Sequence, residues 1–208
     1  MKKRIFITAT NTNVGKTYTT SLLLRELADS GLKVGVFKPI ETGVEEEPLD
    51  GKKLFDIALS LNPGLSVLDL NTVVPYQFAL PAAPMVAKGD VKIDLNYLSK
   101  KLSLIEELCD VVLIEGAGGL MVPVEEDLFM VDFISYFKAS VLLVSPSKLG
   151  SINDTLLSQY LLESKKIAYT WAINIYEDED TFEAVTAPFY KDGFLSLQDD
   201  IKEIVNKL

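Results

Sequence analysis

The sequence predicts an α/β domain: a mainly parallel central sheet as the middle of three layers, with helices on both faces. Three observations carry this. Short, almost wholly apolar runs rich in β-branched residues recur along the chain, and such strands belong to sheets covered on both faces. Segments of helical spacing alternate with them, the pattern of parallel strands joined by crossover helices. The chain has 208 residues, 48% of them hydrophobic and 24% charged, enough for a folded core and consistent with one domain over residues 1–208.

In chain order, Arg4–Ala9 is an apolar run that reads as the first strand, and Lys16–Ser30 follows as a leucine-bearing helix. Lys33–Lys38 is the second strand, alternating β-branched residues with Gly35. Val44–Gly51 is acidic and punctuated by Pro48 and Gly51, so it reads as a surface loop ahead of a helix over Gly51–Leu61. Asn71–Gly89, rich in Pro and Ala, reads as a long irregular connection near a site. Leucines at helical spacing make Leu95–Leu108 a helix; Val111–Glu115 is again strand-like. Leu128–Phe137 and Ile152–Ser164 are read as helices around a strand at Val141–Ser145, and Ala168–Asn174 as the last strand. No internal repeat or low-complexity linker is visible.

Composition narrows the chemistry. With 20 basic against 30 acidic residues the formal net charge is −10, and no basic patch stands out, so nucleic-acid binding through phosphate neutralisation is not expected. The longest apolar runs, such as Val111–Ile114 and Val141–Val144, are too short to span a bilayer. Met1-Lys-Lys-Arg4 runs straight into a strand-like segment rather than a signal-peptide core, so a cytoplasmic protein without membrane association is expected. There is one cysteine, Cys109, and no histidine. Disulfides, histidine triads and the usual zinc sites are excluded. Lysines, carboxylates, hydroxyls and backbone amides remain, a set suited to phosphate chemistry with magnesium.

The segment Thr8–Thr17 lies between the first strand and the first helix and ends in Gly15-Lys16-Thr17. This is the end of a Walker A loop in its proper context, which makes the fold a three-layer one of the P-loop NTPase type. Backbone amides at the helix start wrap phosphate, Lys16 reaches the outer phosphates, and the Thr17 hydroxyl ligates magnesium. A second lysine, Lys38, ends the second strand in Lys38-Pro-Ile-Glu-Thr-Gly43. It is either a ligand at the strand end, where open α/β sheets place their sites, or a solvated lysine before a proline turn. Glu115-Gly-Ala-Gly-Gly119 follows the third strand. A carboxylate at a strand tip before four small residues can hold magnesium while the chain approaches phosphate closely; the plainer reading is a glycine turn with an exposed glutamate.

Taken together, these pieces resemble dethiobiotin synthetase. The resemblance is carried by Thr10–Thr17, Lys38–Gly43, Phe55-Asp-Ile-Ala-Leu59, Pro75-Tyr-Gln-Phe78 with Pro81-Ala-Ala-Pro84, Glu115–Gly119, Lys148-Leu-Gly-Ser-Ile-Asn153 and Asn174, collinear from about residue 4 to 174. It implies a homodimeric, cytosolic ligase of biotin synthesis. That enzyme closes a ureido ring on 7,8-diaminononanoate with carbon dioxide (CO2), ATP and magnesium (Mg2+), through a carbamate and a carbamic–phosphoric anhydride. On this resemblance Lys16, Lys38 and Thr12 are the catalytic residues. The nucleotide would lie on Asn13, Val14, Gly15, Lys16, Thr17, Tyr18, Asp56, Glu115, Gly116, Ala117, Gly118 and Asn174. Thr17, Asp56 and Glu115 would hold the metal, with Asp56 otherwise an ordinary helix-surface carboxylate and Asp50 uninvolved. Substrate would meet Thr42, Lys38 and Gly119, and Leu149, Gly150, Ser151 and Asn153 of the neighbouring subunit, where Ser151 or Asn153 could equally cap the following helix. Tyr76, Phe78, Pro81 and Met121 either line the heptyl chain or belong to the core.

Three departures from the family pattern stand out. Asn13 replaces a commonly acidic residue, Ala9 stands where the loop often starts with glycine, and Ile175–Leu208 lacks the usual Pro-x-Leu-Gly segment beside the base. Weak base selectivity is therefore expected. The rival class is an ATPase switch of the partitioning or septum-positioning type. Position 11 is Asn rather than that class's extra lysine, and no basic amphipathic helix is present. Amidotransferase-type synthetases need Cys and His chemistry that this chain cannot supply.

Overall fold

The computed structural model describes residues 2–176, 179–191 and 193–208. In order these form β1 (Lys3–Ala9), α1 (Lys16–Asp29), β2 (Val34–Phe37), β3 (Ile40–Thr42), α2 (Leu49–Leu61), α3 (Leu70–Val73), β4 (Tyr76–Phe78), α4 (Pro84–Ala87), α5 (Leu95–Glu106) and β5 (Val111–Gly119). Then come β6 (Pro123–Glu125), β7 (Leu128–Phe129), α6 (Met130–Phe137), β8 (Ser140–Pro146), α7 (Ser151–Ser164), β9 (Thr170–Asn174), α8 (Glu179–Thr181), β10 (Leu195–Ser196) and α9 (Ile201–Lys207). Among the described residues six strands make the main sheet in the order β10-β9-β8-β1-β5-β2, every pairing parallel. β1, β5 and β8 are apolar and buried along nearly their whole length, as strands covered on both faces must be.

The layers follow from the handedness of the crossovers. From β1 the chain passes through α1 to β2 in one direction across the sheet, whereas the crossovers through α5, α6 and α7 return in the other. Right-handed connections therefore put α1 on one face and α5–α7 on the other. α2 and α9 pack beside α1. Ile5, Ile7, Leu113, Leu142, Leu23 and Phe133 are among the fully buried side chains of the core. Burial pushes the Cys109 thiol up to about 12, which leaves it inert at neutral pH. No described helix is long and apolar enough to cross a membrane.

Several boundaries differ from the sequence reading. The helix expected from Leu128 starts at Met130, because Leu128–Phe129 pairs antiparallel with β6. The irregular connection over 71–89 contains β4, which pairs in parallel with β3, together with α3 and α4. β5 does not stop at Glu115. It runs on to Gly119 with a bulge, Ile7 opposite Glu115 but Ala9 opposite Gly119, so β1 advances two residues while β5 advances four. Glu177 and Asp178, part of the acidic start of the tail, lie outside the described residues.

Candidate active site

The phosphate loop joins β1 to α1 across residues 10–15. Asn13 (φ 59°) and Gly15 (φ 100°) both adopt the left-handed region. Asparagine is one of the few side-chain-bearing residues that tolerates it, which accounts locally for Asn13. Ala9 is extended and buried in β1, so the position needs no glycine. No side chain caps α1, leaving its first-turn amides toward the loop. Lys16 is buried, with Nζ donating to the Asn11 carbonyl at 3.1 Å. Burial, reinforced by the nearby Lys38 charge, lowers its pKa to about 8.

Lys38 directly follows β2 and is buried, not solvated. Its ammonium lies 2.6 Å from Glu115 Oε1. Burial alone would strip its proton, but the Glu115 charge more than offsets that and holds Lys38 above its ordinary value. The same pairing overcomes the burial of Glu115 and holds its carboxyl below the usual range. Glu115 is fully buried rather than exposed at a strand tip. It also accepts from Thr17 Oγ1 at 3.0 Å and Thr20 Oγ1 at 2.7 Å. Thr20 was not anticipated, although it lies one helical turn after Thr17 and so on the same face of α1.

The second carboxylate of the cluster is Asp50, not Asp56. Asp50 Oδ2 lies 4.0 Å from Lys38 Nζ, whereas Asp56 is exposed and pairs with Lys52 at 3.9 Å. Six residues along α2 turn a side chain about 120° away, so both carboxylates cannot face the cleft. Glu41 sets the helix in place: its carboxylate accepts from the backbone amides of Asp50 at 3.0 Å and Gly51 at 2.8 Å. Burial raises the pKa of Glu41 against the opposing pull of Lys38. Gly51 is needed there because a methyl would run into Val74. The legible signal was an aspartate in the first turn of a helix directly after the Lys38–Gly43 segment.

These groups face a cleft of about 670 Å³, lined by Thr12, Asn13, Gly15, Lys16, Thr17, Lys38, Thr42, Asp50, Pro81–Pro84, Gly116, Ala117 and Gly118. Glu115 sits beneath it. Val14 is buried behind the loop and Tyr18 is largely exposed on α1. Gly119 is not at the cleft: it packs on the loop, where a methyl would meet the Thr10 carbonyl at 2.9 Å. Tyr76 and Phe78 stack on each other outside the lining, and Met121 opens onto a separate depression with Leu157. Within the chain the structure does not bring Leu149, Gly150, Ser151 or Asn153 to this cleft. Ser151 is buried, Leu149 is almost wholly exposed, and Gly150 caps α7 with no side-chain bond from Ser151 or Asn153. Among the described residues no cluster of three or more His, Cys, Asp or Glu forms an all-protein metal cage. Magnesium does not need one, since it is commonly held by one or two carboxylates with substrate phosphates. Thr17, Glu115 and Asp50 offer such hard oxygens around a place already occupied by the Lys38 positive charge.

On the other side of the loop, Asn174 ends β9. Its Nδ2 donates to the Val14 carbonyl at 3.0 Å, and its Oδ1 accepts from Gln198 Nε2 at 2.9 Å. Gly15 must lack a side chain, since a methyl there would overlap Asn174. Tyr176 Oη donates to the Asn13 carbonyl at 3.0 Å. The tail, which lacks the family's Pro-x-Leu-Gly segment, packs on this side: β10 extends the sheet beside β9, α9 packs on α1, and Gln198 reaches Asn174.

The family profile described as an AAA domain matches residues 3–189. An ATP-dependent dethiobiotin synthetase of Sulfurovum sp. (strain NBC37-1) is 50% identical over 186 residues, covering 89% of each chain. Another, from Wolinella succinogenes, is 38% identical over 214 residues, covering 99% of this chain and 98% of its own. Among solved structures, a plasmid partition protein from Borrelia burgdorferi superposes with a TM-score of 0.55 at 13% identity, covering 94% of this chain and 88% of that one. That likeness concerns the fold alone.

Proposed function

This chain belongs to the ATP-dependent dethiobiotin synthetase family, and from that premise we propose that it carboxylates 7,8-diaminononanoate with carbon dioxide and closes the ureido ring at the expense of ATP. It is an ATP-dependent ligase of biotin synthesis. The observation that carries the finer reading is the convergence of two lysines on one cleft, Lys16 from the phosphate loop and Lys38 locked by Glu115.

The steps suit these residues. One amine nitrogen of the substrate attacks carbon dioxide and sheds a proton to solvent, giving a carbamate. A carbamate oxygen then attacks the γ-phosphorus, and ADP departs with the electrons of the broken P–O bond. The second amine attacks the carbonyl carbon of the anhydride, loses its proton and expels phosphate as the ring closes. Positive charge held in a partly dehydrated cleft is what such transfers need, since charge spreads over the phosphoryl oxygens. Lys38 is a fixed ammonium for the carbamate, and Lys16 serves the phosphoryl group once protonated. Thr12 and Thr42 line the cleft with hydroxyls for the carbamate and amines, and the backbone of Gly116–Gly118 closes it. No general base of matched pKa is required if positioning supplies the rate. Magnesium, held by Thr17, Glu115 and Asp50, supplies neutralisation of the phosphates when bound.

The working unit in this reading is a homodimer. Leu149, Leu156, Leu157 and Tyr160 leave an apolar face exposed along the start of α7, which favours a partner there. The partner's residues at 149–153 would then complete the substrate site. Phosphate release from ATP and bicarbonate, with and without the diamine, tests the reading. Strong stimulation by the diamine is expected, and basal hydrolysis indifferent to it would favour the ATPase-switch alternative.

A further inference from the structure

We propose that Thr20 is a positioning residue for the metal carboxylate: its hydroxyl ties Glu115 Oε2 into the core and keeps Oε1 turned to the cleft. The inference rests on the magnesium reading of this cleft and adds to it the group that holds the carboxylate while its other partners serve ligands.

The two oxygens of Glu115 have separate surroundings. Oε1 accepts from Lys38 Nζ at 2.6 Å and from Thr17 Oγ1 at 3.0 Å, and both donors belong to residues that line the cleft. Oε2 accepts from Thr20 Oγ1 at 2.7 Å and, among the described residues, has no other hydrogen-bond partner. Thr20 is fully buried, as Glu115 is, and forms no part of the cleft wall. Because Thr20 lies three residues after Thr17, the two hydroxyls share one face of α1 and grip opposite oxygens of one carboxylate. The 3.0 Å between Thr17 Oγ1 and Glu115 Oε1, a hydrogen bond here, also suits neighbouring ligands on one magnesium ion. Octahedral metal–oxygen bonds of about 2.0–2.1 Å set adjacent oxygens roughly 2.9 Å apart.

Two of the three donors have other work in the proposed reaction. Lys38 serves the carbamate, and Thr17 offers its oxygen to the metal. Whatever anchors Glu115 at that stage must stay in place, and Thr20 is the donor with no ligand to serve. Its hydroxyl has one hydrogen and two acceptors in reach, Glu115 Oε2 at 2.7 Å and the Lys16 carbonyl at 2.9 Å. The carboxylate takes it, since a bond to a charged acceptor is shorter and about twice as strong as a neutral one. The Lys16 carbonyl loses little, because it already accepts the Thr20 amide in the α1 ladder. Without the Thr20 hydroxyl, Oε2 would be a buried charged oxygen with no donor, and the carboxylate would turn toward donors in the cleft.

Equilibrium binding of ADP to the full-length protein, in EDTA and in saturating magnesium, separates the metal's contribution from that of the phosphate loop. The quantity read is the gain in ADP affinity on adding magnesium. In Thr20→Val, which keeps the shape and loses the hydroxyl, that gain should be about tenfold smaller than in the wild type, the scale of one hydrogen bond to a charged group. Binding in EDTA should stay within about twofold. Thr20→Ser should keep the gain, and Glu115→Gln should lose it. Adding Thr20→Val to Glu115→Gln should cost nothing more, because Thr20 acts through that carboxylate. Melting temperatures check folding, and Thr20→Ala gives the same comparison if Thr20→Val does not fold. A valine or alanine variant with the full magnesium gain overturns the proposal. So does an equal loss in EDTA, which would make Thr20 a prop for the phosphate loop, or a further loss in the Glu115→Gln background. A wild type with no magnesium gain sinks the magnesium reading together with this one, whereas a wild-type gain that survives loss of the hydroxyl sinks this one alone.

Discussion

Nucleotide binding should take up a proton at alkaline pH, and Lys16 should be the group that takes it. In the free protein burial and the Lys38 charge lower the Lys16 pKa to about 8 from an ordinary 10.5. Bound phosphate supplies the opposite charge the lysine lacks and returns it toward the ordinary value. At pH 9 the free lysine is then only about one-tenth protonated, so binding draws in about 0.9 proton; at pH 7 it draws about 0.1. The same linkage weakens ADP affinity about tenfold between pH 7 and pH 9, with the slope appearing above pH 8. The terminal phosphate of the nucleotide titrates near pH 6, below this window. Calorimetric titrations in pairs of buffers with different ionisation enthalpies count the protons directly. Lys16→Arg keeps its charge throughout and should bind ADP with no uptake in this range. Without ligand the sign reverses. A lysine whose folded pKa is lowered favours the unfolded chain where that chain holds the extra proton, so stability should rise with pH between about 8 and 10.5. Uptake near zero at pH 9 in the wild type, or undiminished uptake in Lys16→Arg, would refute the assignment.

Asp50→Asn should lower metal-dependent phosphate release by about 10²-fold, while Asp56→Asn stays within about twofold, because only Asp50 faces Lys38; equal effects would place the second metal carboxylate elsewhere. Lys38→Met leaves the Glu115 carboxylate buried without its counter-charge, a cost of about 3–5 kcal/mol that should depress the melting temperature by roughly 10 °C. The double variant Lys38→Met/Glu115→Gln should recover most of it, and equal melting by single and double variants would mean the pair is not coupled. Because Glu115 is held below its ordinary 4.5 and Lys38 above its ordinary 10.5, the pair's full contribution spans that interval and is lost outside it, first as pH falls. An inactive Lys38 variant mixed with an inactive Asn153 variant should regain part of its activity through one intact composite site; proven heterodimers without recovery would rule out the shared site.

The features legible in the sequence are those fixed by short covalent spacing. Apolar runs alternating with helical segments specify an α/β sheet, since period and burial are local properties of the chain. Gly15-Lys16-Thr17 is likewise local, because strand, loop and helix start must follow one another for the loop to work. The place of Lys38 at a strand end was legible too, but only its burial against Glu115 decided against the solvated reading. The tertiary structure decided matters that depend on contacts between distant segments. Glu115 is buried because β5 continues beyond it in a bulge set by β1, and it meets a lysine 77 residues away. Asp50 displaces Asp56 because the phase of a helix depends on where it begins, and Glu41 sets that start by binding the first-turn amides from another strand. The tail's place beside Asn174 was hidden for a similar reason. Leu195–Ser196 is too short to show a period of its own, and is a strand only because β9 offers it an edge. Gln198 reaches Asn174, 24 residues earlier in the chain, only because that pairing carries it there.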